Sequence, residues 1–170
     1  MRTKQTGGYS VIEILIYVAL FATLSIAVIN SYTVVLASFG ATRVNRELLE
    51  AGSTIMERMS REVRQATSVD VTSSVLGSSL GVLQLNTTDT AGYVTTSKFI
   101  IENGLLNMYT GGSLVGSLSG AHVSITNLIF RKITTTEGEA IKIELTIQNS
   151  TSKTLRTENF YNTIVLRGTY

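Results

Sequence analysis

One apolar stretch near the N-terminus does most to limit what this chain can form. Between Gln5 and Thr42 the only charged residue is Glu13, and the 19 residues from Val11 to Ile29 read VIEILIYVALFATLSIAVI. A helix needs about 20 mostly apolar residues to cross the hydrocarbon core of a bilayer, and it satisfies its own backbone groups there. The stretch therefore predicts a single membrane-spanning helix.

Glu13 is the unusual residue of this helix, because a carboxylate at the centre of a bilayer costs about 2.5–3.5 kcal/mol on insertion scales. No Lys or Arg follows it within two helical turns. One interpretation is that Glu13 lies at the interface, reaches the lipid headgroups and has no further role. The other is that it pairs with an α-amino group. Gly7-Gly8 offers a flexible backbone for proteolysis, and a cut after Gly8 makes Tyr9 the new N-terminus. In a staggered array, the Tyr9 amine of one chain neutralises Glu13 of its neighbour.

The segment Gly8-Tyr9-Ser10-Val11-Ile12-Glu13, followed by the apolar run, resembles the prepilin signal of type IV pilins and type II secretion pseudopilins. That family has a glycine before the cut, an aromatic residue (usually Phe) after it, and a glutamate as the fifth mature residue. Only a cut after Gly8 gives this spacing, and Tyr9 in place of Phe is a mild departure. The resemblance implies that a prepilin peptidase removes residues 1–8 and N-methylates Tyr9.

The resemblance also implies a function and a location. It identifies a filament subunit of the bacterial inner membrane, with a cytoplasmic N-terminus, an outer head and Glu13 setting the register between subunits. The implied partners are other pilins or pseudopilins, the peptidase, membrane lipid before assembly, and an assembly platform with its ATPase. Arg2 and Lys4 agree with this orientation under the positive-inside rule, although Arg43 and Arg46 follow on the far side.

Two features resemble a minor subunit. Major pilins usually carry a helix-kinking proline at the position occupied here by Asn30, and this chain has no proline. The segment 55–67, IMERMSREVRQAT, is similar to the end of the long helix in J-type minor pseudopilins, whereas K-type minor pseudopilins lack the glutamate matched by Glu13. An equivalent minor subunit of a type IV pilus or DNA-uptake filament fits the same features.

Other interpretations of the N-terminus stay open. A secretory signal cut after Ala37 would release a chain starting at Ser38, although the apolar run is long for such a signal. An anchor that is never cut would keep Met1. In that case the chain would be a single-pass membrane protein whose β-rich head binds a ligand without self-association.

A second helical pattern follows the apolar run. Apolar or small residues recur every three or four positions at Val44, Leu48, Gly52, Ile55, Met59, Val63 and Ala66. Charged residues on the other faces form the i,i+4 pairs Arg43–Glu47, Arg46–Glu50, Glu57–Arg61 and Arg58–Glu62. We therefore divide the chain into a leader (1–8), a transmembrane or filament-core helix (9–30), an amphipathic helix (31–67) and a β-rich head (68–170). Gly40 and Gly52 are expected weak points of the helix.

The last hundred residues predict an antiparallel sheet covered by the apolar stripe of the helix, an α+β, pilin-like fold. The predicted strands are Gly81–Leu85, Lys98–Glu102, Leu105–Thr110, Val123–Lys132, Ala140–Gln148 and Asn159–Arg167. Asn103-Gly104 predicts a type I′ hairpin turn, and turns are also expected at Gly111-Gly112 and Glu137-Gly138. Residues 68–80 and 86–97 are expected to be loops.

Composition excludes most catalytic chemistry. There is no cysteine and one histidine, His122, which argues against thiolate and histidine metal sites and a catalytic triad. Asp70 and Asp89 are isolated, which leaves a calcium site open but unsupported, and the stretch Gly77–Gly81 lacks the lysine of a phosphate-binding loop. The formal charge of +2 gives no basis for nucleic-acid binding. We expect no enzyme, metal or cofactor.

Overall fold

The computed structural model describes residues 10–89, 91–120, 122–135, 138–150 and 155–167. Within these ranges one helix precedes eight strands, and the class is α+β. The chain divides into two compact units, Met1–Arg43 and Val44–Tyr170. We call the second the C-terminal unit and describe each unit separately.

Helix α1 runs from Val11 to Gln65, which confirms the predicted helix. Within the C-terminal unit its predicted apolar stripe is the buried face: Leu48, Ile55, Met59 and Val63 are fully buried. Two of the predicted ion pairs are present, Arg58–Glu62 and Arg61–Glu57, each with an N–O distance of 3.1 Å. The repeat of three and four residues thus located the face that covers the core.

The strands form two antiparallel sheets, whereas the sequence predicts one. The first sheet has the order β1-β2-β3-β4-β5, and the second has the order β6-β7-β8. The first contains β1 (Ser68–Val69), β2 (Leu83–Thr88), β3 (Val94–Glu102), β4 (Leu105–Thr110) and β5 (Ser113–Ser117). The second contains β6 (Val123–Thr135), β7 (Gly138–Asn149) and β8 (Thr157–Val165).

All six predicted strands exist, and the structure adds two further strands, β1 and β5. β1 lies within 68–80, and the end of β2 and the first part of β3 lie within 86–97, so the prediction of loops there was partly wrong. β5 was not predicted because its side chains are mostly exposed and show no apolar alternation. Of the turn Glu137-Gly138, Glu137 lies outside the described residues.

The hairpin between β3 and β4 has the predicted turn. Asn103 and Gly104 have φ values of 54° and 77°, and a type I′ turn requires positive φ at both central residues. Gly111 and Gly112, between β4 and β5, also have positive φ values. Local turn chemistry therefore sets the connections of the first sheet.

The glycine-rich stretch Gly77–Gly81 covers the outer edge of β6. The N–H groups of Gly77 and Gly81 donate to the carbonyls of Phe130 and Leu128, each at 2.8 Å. Farther along the same edge, Ile125 N–H donates to the Gly104 carbonyl at 3.2 Å. The edge of β6 that faces away from β7 is therefore occupied by other parts of the same chain.

One stretch of α1 is bonded to both sheets. Asn162 Nδ2 on β8 donates to Ser60 Oγ at 3.0 Å, and Ser97 Oγ on β3 donates to Glu62 Oε2 at 3.1 Å. Glu62 is 8% exposed and Ser97 is 2% exposed. Eight residues before Ser60, Gly52 faces the ring of Phe160, where an added Cβ would lie 2.2 Å from two ring carbons. Gly52 is therefore a close-packing position, not merely a weak point of the helix.

Candidate functional site

The first half of α1 exposes a continuous apolar surface. Its large apolar side chains from Val11 to Phe39 are 48–76% exposed. Soluble proteins rarely leave so large an apolar patch uncovered, so such patches mark interaction or membrane surfaces. By length and composition this part of α1 is able to cross a membrane, as the sequence predicts.

Hydroxyl groups in this apolar segment are satisfied within the helix. Thr23 Oγ1 and Thr33 Oγ1 donate to the carbonyls three residues earlier, each at 2.9 Å, and Ser25 Oγ donates to the carbonyl of Phe21 at 2.8 Å. Such bonds to the preceding turn let Ser and Thr enter a water-free environment without leaving an unpaired donor. The segment therefore presents few unsatisfied polar groups to lipid or to neighbouring helices.

Glu13 lies in the first turn of α1 and is partly buried. Tyr17 Oη donates to Glu13 Oε1 at 3.2 Å, across one helical turn. Sequence reasoning missed this partner because it looked only for cations, although the i,i+4 spacing was visible. The first-turn position also places the carboxylate near the positive end of the helix dipole.

The remaining residues of the predicted assembly site lie just before this turn. Ser10 is the first described residue, and its carbonyl accepts hydrogen bonds from the N–H groups of Glu13 and Ile14. Gly8 and Tyr9, the predicted cleavage and N-methylation positions, lie outside the described residues. Of the three site residues Gly8, Tyr9 and Glu13, the structure thus describes only Glu13.

No protein-family model, no curated protein and no solved structure matches this chain.

The two isolated aspartates of the C-terminal unit form turns. Asp70 Oδ1 accepts bonds from Thr72 Oγ1 at 2.6 Å and from the N–H of Ser73 at 3.2 Å. These hydrogen bonds, that of Thr72 first, lower the pKa of Asp70 to about 2. Asp89 Oδ1 accepts from the N–H groups of Ala91 and Tyr93. In the described part of the chain, no three His, Cys, Asp or Glu residues cluster as a metal site would require.

The outer face of the first sheet carries a small polar network. Asn107 Nδ2 and Tyr109 Oη donate to Glu102 Oε2 at 2.7 and 2.9 Å. The bonds from Asn107 and Tyr109 lower the pKa of Glu102, and the same contact raises the pKa of Tyr109. These shifts have local causes, since both side chains are satisfied by each other. His122 is an exposed turn residue just before β6, and its carbonyl accepts a hydrogen bond from the Ser150 N–H at 3.0 Å.

Proposed function

We propose that this chain is a structural subunit of a type II secretion pseudopilus or a type IV pilus-like filament, and specifically a minor subunit most like a J-type pseudopilin. Its apolar helix is held in the bacterial inner membrane until it enters the filament core. Maturation is by cleavage after Gly8 and N-methylation of Tyr9. The observation that carries the proposal is the partly buried Glu13 in the first turn of an otherwise apolar, exposed helix.

Physical chemistry favours a partner for Glu13 in another chain. A carboxylate buried without a counter-charge is heavily penalised, and the Tyr17 hydroxyl supplies one neutral hydrogen bond. An α-amino group at Tyr9 of a neighbouring subunit would supply a full positive charge. Since this pairing is made only at one vertical offset between helices, it would fix the register of the filament.

The absence of a kinking proline and the helix-end pattern of residues 55–67 support a minor subunit. That segment ends α1 in the C-terminal unit, where its stripe is buried and Ser60 and Glu62 are hydrogen-bonded to β8 and β3. The head would face outward and determine which subunits or cargo the filament meets. Energy for assembly would come from a separate ATPase on the membrane platform.

Two measurements test this function. N-terminal sequencing and mass analysis of the chain purified from its own membrane should find Tyr9 first, heavier by one methyl group. A start at Ser38 would identify a secretory signal, and a start at Met1 would identify an uncut anchor; either result would refute the proposal.

The second measurement separates insertion from assembly. Glu13→Ala should leave the chain in the membrane fraction but abolish its cross-linking to neighbouring subunits. Glu50→Ala is the matched control, because Glu50 is an exposed carboxylate on the same helix outside the apolar segment. A single-pass binding protein would tolerate both changes equally.

A further inference from the structure

The two sheets have four outer edges, and three of them are protected against pairing with other chains. β1 is only two residues long, β5 is joined to β4 through a register shift at Met108/Tyr109, and β6 is covered by residues 77–81. Short strands, irregularities and covering loops are the usual means of blocking edge-to-edge pairing. Among the residues that the structure describes, β8 has none of these features: it is nine residues long and pairs with β7 without a register shift. Its sequence contains no proline or lysine and one charge, Glu158.

The hydrogen-bond pattern shows which backbone groups of β8 are free. Just beyond its two ends, Asn149 N–H donates to the Arg156 carbonyl and Leu166 N–H donates to the Glu139 carbonyl. Bonded pairs alternate along an antiparallel ladder, so the even-numbered residues of β8 bond to β7. The odd-numbered residues from Thr157 to Val165 therefore direct their N–H and C=O groups outward. Within the described residues these outward groups have no hydrogen-bond partner.

A groove runs beside this free edge, on the face of the sheet that α1 covers. The C-terminal turns of α1 and Asn162 of β8 line it, with Met56, Ser60, Arg61 and Arg64 on the helix side. Arg61 pairs with Glu57 at 3.1 Å, whereas Arg64 makes no ion pair in the described part of the chain. The groove thus carries one uncompensated positive charge next to the unpaired backbone.

From these two features we infer that the β8 edge binds an extended segment of another protein by β-strand addition. The backbone of the segment would pair with the odd-numbered residues of β8. Its alternate side chains would enter the groove, where a carboxylate would meet Arg64. Main-chain bonds supply affinity in this mode, and the side chains that point into the groove supply specificity.

A second copy of this chain is the other candidate occupant. If the β8 strands of two copies paired about a twofold axis, they would be antiparallel. The α1 segments that pack on the two sheets would then point in opposite directions. Chains anchored in one membrane from the same side have parallel helices, so we favour a different protein. This choice of occupant rests on the proposed function, whereas the free edge and the groove do not.

The first experiment measures binding of a designed strand to the full chain in detergent micelles. The probe is a fluorescent nine-residue peptide with threonine at odd positions and valine, glutamate, glutamate and valine at even positions. Its counterpart carries lysine in place of glutamate. We expect the acidic peptide to bind about tenfold more tightly than the basic one, and Arg64→Glu to reverse this preference.

Backbone pairing is tested by a proline on the outward side of β8. Thr163→Pro removes one outward N–H while sparing the bonds to β7, because edge strands tolerate proline where the N–H faces solvent. We expect a loss of affinity of up to about tenfold, the value of one hydrogen bond. Thr163→Val keeps the N–H and should bind as the wild type does. Amide hydrogen exchange should slow at Tyr161 and Thr163 when the acidic peptide binds.

The possible outcomes separate failure of this inference from failure of the proposed function. Equal binding of both peptides would overturn the inference. So would wild-type affinity in Thr163→Pro together with amide exchange at Tyr161 and Thr163 of the wild type that does not slow when the acidic peptide binds. A dimer of the unliganded chain that Thr163→Pro or Arg64→Glu dissociates would show that the occupant is a second copy, which would also overturn it. Uncleaved Met1 or assembly without Glu13 would refute the proposed function while leaving the peptide results intact.

Discussion

Gly52→Ala places a methyl group where the structure has no room for one. An ideal Cβ at this position lies 2.2 Å from Cε2 and Cζ of Phe160, whereas carbon atoms pack at about 3.5–4.0 Å. The ring on β8 must therefore move by more than about 1 Å. Overpacking of this kind costs about 1–3 kcal/mol, and the better helix propensity of alanine returns about 1 kcal/mol. We expect the free energy of unfolding of the C-terminal unit to fall by about 1 kcal/mol.

The assay is urea unfolding of the full chain in detergent micelles, followed by the circular dichroism of the β strands. Gly40→Ala is the matched control, since it lies in the same helix and an added Cβ there meets no atom within 4 Å. That control should leave the transition of the sheets unchanged. Phe160→Leu, which shortens the opposing side chain, should reduce the cost of Gly52→Ala when the two are combined.

A gain in stability from Gly52→Ala would refute the reasoning. It would mean that helix propensity alone governs this position and that the Phe160 ring does not rest on the helix backbone. Additive effects of Gly52→Ala and Phe160→Leu would lead to the same conclusion, because residues in contact are expected to be coupled.

Three further perturbations test the C-terminal unit. Gly104→Ala puts a side chain on a residue whose φ is 77°, a conformation that is unfavourable for alanine. Thermal unfolding should show a loss of about 1–2 kcal/mol in stability. An unchanged stability would mean that the turn adopts another conformation without cost. Because the pKa of Asp70 is lowered from 3.8 to about 2 on folding, the ionised side chain contributes its full stabilisation above pH 3.8 and loses it as the pH falls through about 2. Asp70→Asn should therefore flatten the curve of stability against pH between these two values. Glu62→Ala leaves the buried hydroxyl of Ser97 without its acceptor and should cost about 1–3 kcal/mol, and a double-mutant cycle with Ser97→Ala should show coupling instead of additivity.

Local patterns predicted the elements of this fold well, because their causes are local. The buried stripe from Leu48 to Val63 follows from helical spacing, and the β3–β4 hairpin follows from the left-handed preferences of Asn103 and Gly104. The division into two sheets depends on contacts between distant parts of the chain. Ser79 Oγ, for example, donates to Asn127 Oδ1 at 2.6 Å, although the two residues are 48 positions apart in the sequence. Hydrophobic periodicity does not predict such a contact.

At the candidate site, too, some features were predictable from the sequence and others were not. The apolar segment and Glu13 are evident from the order of residues in the sequence. Tyr17 was predictable in principle, since residues four apart face each other on a helix, but a search restricted to counter-charges passes over a hydroxyl. The free edge of β8 was not predictable, because it exists only once β6, β7 and β8 have separated from the other strands.

Ser60 and Glu62 lie within a single turn of α1, and each is bonded to a different sheet. Tension applied through that turn would reach each sheet through its own hydrogen bond. Traction on this part of the helix would therefore load both sheets of the C-terminal unit together.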